Sequence, residues 1–383
     1  MAVPRMRLSR AASHSARSGH PWVYREDPVR HPAGTVVDLL DDRGEPLGFG
    51  LTDDGPIAVR VLGRGPREPL DGLIDARIRR ADRLRRSLVG AGADTDTYRA
   101  LSGAGDGLDG LVADRYGDVA VLRVYAAAWL PHLPRVIGAI AGLPWCRTVA
   151  RRFGVERVDG RDGLDTVHGP ETPTEVVVTE RGMRMLVRPA VGQKTGLFLD
   201  QREHRALVRG WAHGRTVANL FAYTGGFSVA AALGGATRVV TVDIAPDAID
   251  DARENFRLNG IDPDLHGFEV ADAFEWVSAS PQGLLIVDPP SLARDRGAKD
   301  AAERAYVKLH RHHGARIASD GLLATSSCTA RLSLDRWRAS VAEGLSRIGD
   351  WSWHWTSTEP PDHPVALGHP EGAYLKFALL SRR

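Results

Sequence analysis

The chain is poor in cysteine, poor in lysine and without a long apolar run. Cys146 and Cys328 are the only thiols among its 383 residues, which excludes a disulfide framework and a cysteine-built metal set, so no metal is expected. No stretch reaches the ~20 consecutive apolar residues of a membrane span. Residues 1–19 are basic and rich in Ser and Ala throughout, unlike a charged-then-apolar leader, so a cytoplasmic protein is expected. Lysine stands only at 194, 299, 308 and 376, which leaves nearly all positive charge on arginine. The planar guanidinium suits phosphates and base edges, but codon bias explains the swap more simply, so only local clusters carry a binding argument. With 43% hydrophobic residues, 26% charged residues and a net charge of +2, the composition is that of a globular protein of two or three domains.

What is present is organised around Arg215–Asp243. Val217, Ala218, Leu220 and Phe221 make the near-continuous apolar run of a strand buried on both faces of a parallel sheet. Tyr223-Thr224-Gly225-Gly226 supplies a sharp turn, Phe227 to Leu233 a helix packed back on the sheet, and Val239 to Val242 the next strand. That strand closes on Asp243, roughly 20 residues past the turn, where a nucleoside-binding βαβ unit places its ribose-gripping carboxylate. The glycines do not follow G-x-G-x-x-G, so a close pyrophosphate approach is poorly served. S-adenosylmethionine, which has no phosphate, fits better. A plain αβ turn in another doubly wound protein is the alternative.

Residues up to about Gly65 read as a small β-domain, with strands near 34–40, 47–51 and 57–62 and a turn at Asp42-Arg43-Gly44. Arg5, Arg7, Arg17 and Trp22 interleave cations with a ring, as an RNA surface requires; the alternative is a basic arm with Trp22 in the core. Leu73 to Leu88 is an amphipathic helix with Ile74, Ile78, Ala81, Leu84 and Leu88 on one face. Arg79 and Arg83, with Arg85 among others, lie elsewhere on it and are candidate phosphate contacts. Residues 107–186 complete an α+β module in which Cys146 is a core residue.

Lys194, Gln201 and Arg202 follow, with Gly192 and Gly196 allowing the loop to cross a ligand and Asp200 expected to cap a helix starting near Gln201. A helix N-terminus with nearby cations would hold the cofactor's carboxylate. Beyond Asp243, strands are expected at 268–272, 283–287 and 322–325, ending at Asp272, Asp288-Pro-Pro-Ser291 and Ser326-Ser327-Cys328. Strands near 351–355 and 374–380 are expected to pair as an antiparallel edge hairpin, apolar enough to suggest a homodimer. Asp272 is placed to accept from an adenine amine. The Asp288 loop resembles the [Asp/Asn]-Pro-Pro-aromatic loop of exocyclic-amine methyltransferases, but Ser291 lacks the ring that positions the base. Cys328 offers another route: a thiolate adding to C6 of a pyrimidine makes C5 an enamine carbon able to attack a methyl sulfonium, with the Asp288 carboxylate near N3 and the 4-amino group. A buried small hydrophobe is the alternative for Cys328.

The blocks Gly19-His-Pro-Trp-Val, Asp106-Gly-Leu-Asp-Gly-Leu-Val-Ala-Asp-Arg-Tyr116, Gly192-Gln-Lys-Thr-Gly-Leu-Phe-Leu-Asp-Gln-Arg202, Phe221-Ala-Tyr-Thr-Gly-Gly-Phe227, Asp288-Pro-Pro, Ser327-Cys328 and Asp362-His-Pro-Val…Lys376 together resemble the large-subunit rRNA cytosine-C5 methyltransferases that carry an N-terminal PUA domain. The resemblance runs in order over almost the whole chain. It implies an α/β fold in three parts: a PUA-like RNA-binding domain at 1–70, a central α+β (EEHEE) module at 71–186, and a class I, Rossmann-like methyltransferase domain at 187–383. It implies S-adenosylmethionine held against Phe221, Tyr223, Gly225, Asp243, Asp272 and Asp288, Cys328 as nucleophile, and large-subunit rRNA as partner. Asn219 stands where many methyltransferases have an acid, and no second cysteine occupies the Asp288 loop to release product. The role of Asp362-His363-Pro364 stays open between a general base at His363 and a structural turn. The rival readings are methylation of another rRNA atom without covalent catalysis and a non-catalytic ribosome assembly factor.

Overall fold

The computed structural model describes residues 3–26, 31–90, 92, 94–293 and 299–383. Two compact units make up the chain, one from residues 1–179, 187–199 and 361–372, the other from 180–186, 200–360 and 373–383. The two expected N-terminal modules therefore cluster as one unit, and 187–199 and 361–372 join it rather than the C-terminal unit.

In the first unit, β1 (Arg5–Arg7), helix α1 (Arg10–Arg17), β2 (Trp22–Tyr24), β3 (Val36–Leu40), β4 (Pro46–Thr52) and β5 (Ile57–Arg64) build a five-stranded sheet ordered β1-β3-β4-β5-β2. The basic leader is thus structured: the Ser9 hydroxyl accepts from the Ala12 N–H to cap α1. Alternation along β3 buries Val37 and Leu39 with Leu8, Val23 and Val59.

Helix α2 (Leu70–Leu88) starts nearly a turn earlier than its apolar periodicity predicts. It is followed by β6 (Thr97–Ser102), β7 (Leu111–Tyr116), β8 (Val119–Val124), α3 (Leu133–Ala141), β9 (Thr148–Arg152), α4 (Glu156–Asp159) and β10 (Leu164–His168), with the strands ordered β10-β9-β8-β7-β6. Ile74, Ile78 and Ala81 pack with Leu122, Trp129 and Ile140. Leu88, at the helix end, is 54% exposed instead. Arg85 departs further from expectation: it is buried and forms a two-pronged pair with Asp106, both N–O distances 2.7 Å. The Asp362-His363-Pro364 turn is held in place within this unit. Asp362 accepts the Arg99 N–H at 2.9 Å, its carbonyl accepts from Arg85 at 3.0 Å, and a Cβ on Gly105 would lie 1.9 Å from the Pro364 oxygen.

A two-stranded sheet, β11 (Val176–Glu180) and β12 (Met183–Val187), comes next in the chain. The second unit then runs α5 (Arg202–Trp211), β13 (Thr216–Leu220), α6 (Gly226–Leu233), β14 (Arg238–Asp243), α7 (Pro246–Leu258), β15 (Gly267–Val270), β16 (Gln282–Val287), α8 (Lys299–Gly314), β17 (Ile317–Ser327), α9 (Leu334–Leu345), β18 (Trp351–Ser357) and β19 (Lys376–Arg382). Its seven strands are ordered β15-β14-β13-β16-β17-β19-β18, parallel except for β19, which is antiparallel to both neighbours. The last two strands pair as expected, but β19 lies inside the sheet and only β18 of the pair is an edge strand. Strand order reverses between β13 and β16, and ligands of open α/β sheets bind beyond the carboxyl ends of strands at such a point.

Candidate active site

The carboxyl end of β13 carries a backbone that L-residues adopt with difficulty. Phe221, Tyr223 and Gly225 have φ of +57°, +49° and +75°. The Asp243 carboxylate holds this turn, accepting from the Tyr223 N–H at 2.7 Å and the Ala245 N–H at 3.0 Å while remaining half-buried. Phe221 packs edge-on to Phe274, ring centroids 5.0 Å apart, an aromatic neighbour the sequence did not single out. Asp272 lies past the end of β15 rather than within it. It is exposed and accepts the Phe274 N–H at 2.9 Å.

Asp288 and Cys328 directly follow the neighbouring parallel strands β16 and β17, whose register pairs Val287 with Thr325. The Ser326 hydroxyl donates to Asp288 Oδ1, and the Gln201 amide donates to the same oxygen at 3.0 Å. Gln201 is set in turn by His204, whose Nδ1 donates to Gln201 Oε1 at 2.5 Å and whose Nε2 lies 2.9 Å from the Ser357 hydroxyl. Burial lowers the His204 pKa to about 3, so its ring is neutral. Cys328 is half-buried, with accessible surface at the strand end. Ser327, beside it, accepts from the Tyr306 hydroxyl at 2.8 Å.

These features fit S-adenosylmethionine. A half-exposed carboxylate on the second strand of the βαβ unit can take ribose hydroxyls. Two buried polar atoms of the same βαβ segment, Asn219 Oδ1 and Thr224 Oγ1, have no partner among the described residues. Residues 145–328 match the family described as S-adenosylmethionine-dependent methyltransferase, and residues 6–64 match the PUA-like domain. The chain is 38% identical to a ribosomal RNA large subunit methyltransferase of Deinococcus radiodurans over 399 aligned positions, covering 98% of this chain and 97% of that protein. It belongs to the ribosomal RNA large subunit methyltransferase family. A ribosomal RNA large subunit methyltransferase I of Cronobacter sakazakii is 31% identical, covering 97% of this chain and 98% of that protein. A putative methyltransferase from Streptococcus mutans shares the fold, with a TM-score of 0.85 at 23% identity, covering 99% of this chain and 100% of that one. S-adenosylmethionine is accordingly the cofactor of this methyltransferase.

Other predicted site residues sit differently from expectation. Gln201 is 3% exposed and spends its amide on Asp288 and Ser326, which makes it a support for the carboxylate. Arg202 is fully buried, with Nε donating to Glu203 at 3.1 Å, so it offers no exposed charge. Asp200 caps no helix: α5 begins at Arg202 without a side-chain cap, and the Asp200 carboxylate accepts from the Tyr374 hydroxyl at 2.6 Å. Lys194, in the first unit, has φ +54° and lies 4.4 Å from the Phe198 ring centre. Asn219 donates to the Ser228 hydroxyl at 2.9 Å.

Of the RNA candidates in the first unit, Arg5, Arg7, Arg17, Arg79 and Arg83 are exposed, with Arg7 donating to the Asp42 carbonyl and Arg17 paired with Asp41. Trp22 is packed rather than presented. It is half-buried, its indole N–H donates to Asp109 at 2.6 Å, and the His369 ring lies 4.3 Å away. Among the described residues one group of metal-capable side chains comes together, His20, His369 and Glu371, with ligand atoms up to 4.8 Å apart. No helix of the described residues is long and apolar enough to cross a membrane.

Proposed function

We propose that this methyltransferase modifies carbon 5 of a cytosine in large-subunit rRNA through a covalent adduct with Cys328. The observation that carries the reading is the juxtaposition of an accessible thiol and a braced carboxylate on adjacent strand ends. Cys328 follows β17, Asp288 follows β16, and the Ser326 hydroxyl joins the two ends.

Bound S-adenosylmethionine supplies an electrophilic methyl group. The Cys328 thiolate adds to C6, which makes C5 electron-rich, and Asp288 faces N3 and the 4-amino group to stabilise the charge that moves into the ring. After methylation the C5 proton leaves, the C5–C6 double bond re-forms and the thiolate is expelled. The loop Asp288-Pro-Pro-Ser-Leu-Ala293 holds no second cysteine, so proton removal falls to a group other than a thiol. Ser291 has no ring to stack on a base, which disfavours exocyclic-amine methylation. Phe221, Tyr223, Gly225, Asp243 and Asp272 line the cofactor side of this arrangement. Arg5, Arg7, Arg17, Arg79 and Arg83 supply phosphate contacts from the first unit, and the reaction belongs in the cytoplasm with its rRNA.

The test is tritium release from C5-tritiated large-subunit rRNA. Cys328→Ala is expected to abolish release while calorimetry shows S-adenosylmethionine binding unchanged. Release that persists in the variant rejects covalent catalysis.

A further inference from the structure

Lys376 is one of only four lysines, and its ammonium is not at the surface: the residue is 5% exposed. It opens β19 directly opposite Ser327 in the antiparallel β17–β19 register, one residue from Cys328. Its Nζ donates to the Thr329 carbonyl at 2.6 Å and to the Tyr374 carbonyl at 2.9 Å. Cys328 is thus gripped on both flanks, through Ser327 by the Tyr306 hydroxyl and through Thr329 by Lys376. A purely structural clamp would be served by a neutral donor, without the cost of burying a charge.

The proton inventory of the amine points further. A neutral lysine amine has two N–H donors and one lone pair, and the two carbonyls engage both donors. The lone pair is left to accept a proton, and the ammonium so formed has one additional N–H for an anion. The charged groups that act on it are Glu359, which accepts the Tyr374 and Leu375 N–H groups leading into β19, and Cys328 itself, while Tyr306 on α8 and Asp288 beyond β16 interact with each other on the side of Cys328. Burial lowers the Lys376 pKa to about 8, opposed by Glu359 and by the Cys328 thiolate. The lowered value gives the amine an accessible neutral form, which can take a proton from the neighbouring thiol.

We propose that Lys376 is the charge partner of Cys328: its amine takes the thiol proton, and the resulting ammonium holds the sulfur as the thiolate that adds to the pyrimidine. The S–H bond breaks, an N–H bond forms, and the proton returns to solvent or to sulfur after turnover. This rests on the nucleophile reading above and deepens it. Lys376 acts through Cys328 and is a positioning residue.

The experiment uses the full-length protein carrying Cys146→Ser, so that Cys328 is the sole thiol, and measures the rate of iodoacetamide alkylation against pH. Lys376→Met is expected to move the alkylation midpoint up by about one pH unit or more, with about a tenfold slower reaction at pH 7. Lys376→Arg keeps a cation and is expected to restore a large part of that reactivity, which mere loss of packing would not predict. Circular dichroism and S-adenosylmethionine calorimetry select variants that fold, and Lys376→Gln, a neutral donor that can keep a carbonyl contact, stands in if the Met variant does not. A midpoint unchanged from the parent in the folded neutral variant overturns the proposal. Failure of the nucleophile reading is separate: Cys328→Ala would still release tritium, whatever the alkylation profiles show.

Discussion

Replacing Arg85 by Met tests how the first unit is held together. The guanidinium is 1% exposed and makes four contacts: two to the Asp106 carboxylate, one to the Arg99 carbonyl at 3.0 Å and one to the Asp362 carbonyl at 3.0 Å. Methionine conserves most of the volume and removes all four. Asp106, 6% exposed, then keeps the Ser102 N–H at 2.6 Å but has no counter-charge. A buried carboxylate stripped of its partner costs about 3–5 kcal/mol. In native-state hydrogen exchange of the β6–β7 ladder, that is an increase of roughly 140- to 3,700-fold in the opening equilibrium, at 1.4 kcal/mol per factor of ten. The double variant Arg85→Met/Asp106→Leu is expected to recover most of the loss, because an apolar pair replaces the ionic one. Exposed Arg79 and Arg83 on the same helix serve as controls, their alanine variants expected within about 0.5 kcal/mol of the parent. If Arg85→Met exchanges no faster than those controls, the buried pair does not support this unit.

Two more predictions concern the second unit. Burial holds the pKa of His204 near about 3 and those of His310 and His313 near about 4. The unfolded chain takes up these protons near pH 6.5 and the folded chain does not, so stability falls as pH drops below 6.5, by about 2 kcal/mol per histidine at pH 5; urea titrations are expected to show that slope, and His310→Gln to flatten it. A Cβ on Gly234 would lie 2.0 Å from the Arg209 carbonyl oxygen, so Gly234→Ala must push α5 and α6 apart at a cost of about 1–3 kcal/mol, whereas Gly72→Ala in open space on α2 should leave the melting temperature unchanged or higher.

The parts of the fold legible in sequence are those whose causes are local. A strand, a turn needing left-handed backbone and a helix lie within Arg215–Asp243, so the βαβ unit can be read from consecutive residues, and Asp243, Asp288 and Cys328 fall at strand ends by counting. Helix α8 is harder to read, because its buried face includes His310 and His313 beside Tyr306 and Leu309, and a polar residue at an inward position breaks the apolar periodicity. Helix α9 goes unassigned from the sequence although its signals are local: Ser333 caps it through the Arg336 N–H, and Trp337, Val341 and Leu345 recur on one face. Arg85 could not be placed from its own helix. Its partner Asp106 lies 21 positions away, and a charge run looks the same whether or not one member turns inward.

The same distinction governs the site. The sequence supplies the carboxylate at 288 but not its orientation, which depends on residues 87 and 38 positions distant. Because His204 is neutral and its Nδ1 donates to Gln201 Oε1, the amide of Gln201 has only its NH2 end to turn toward Asp288. The carboxylate therefore meets an N–H donor there. With Nδ1 donating to an amide oxygen, Nε2 is the acceptor, and the Ser357 hydroxyl on β18 donates to it. A residue at the carboxyl end of a strand is cheap to recognise, but its charge and direction are properties of the packed sheet, and they emerge only when α5, β16, β17 and β18 are brought together.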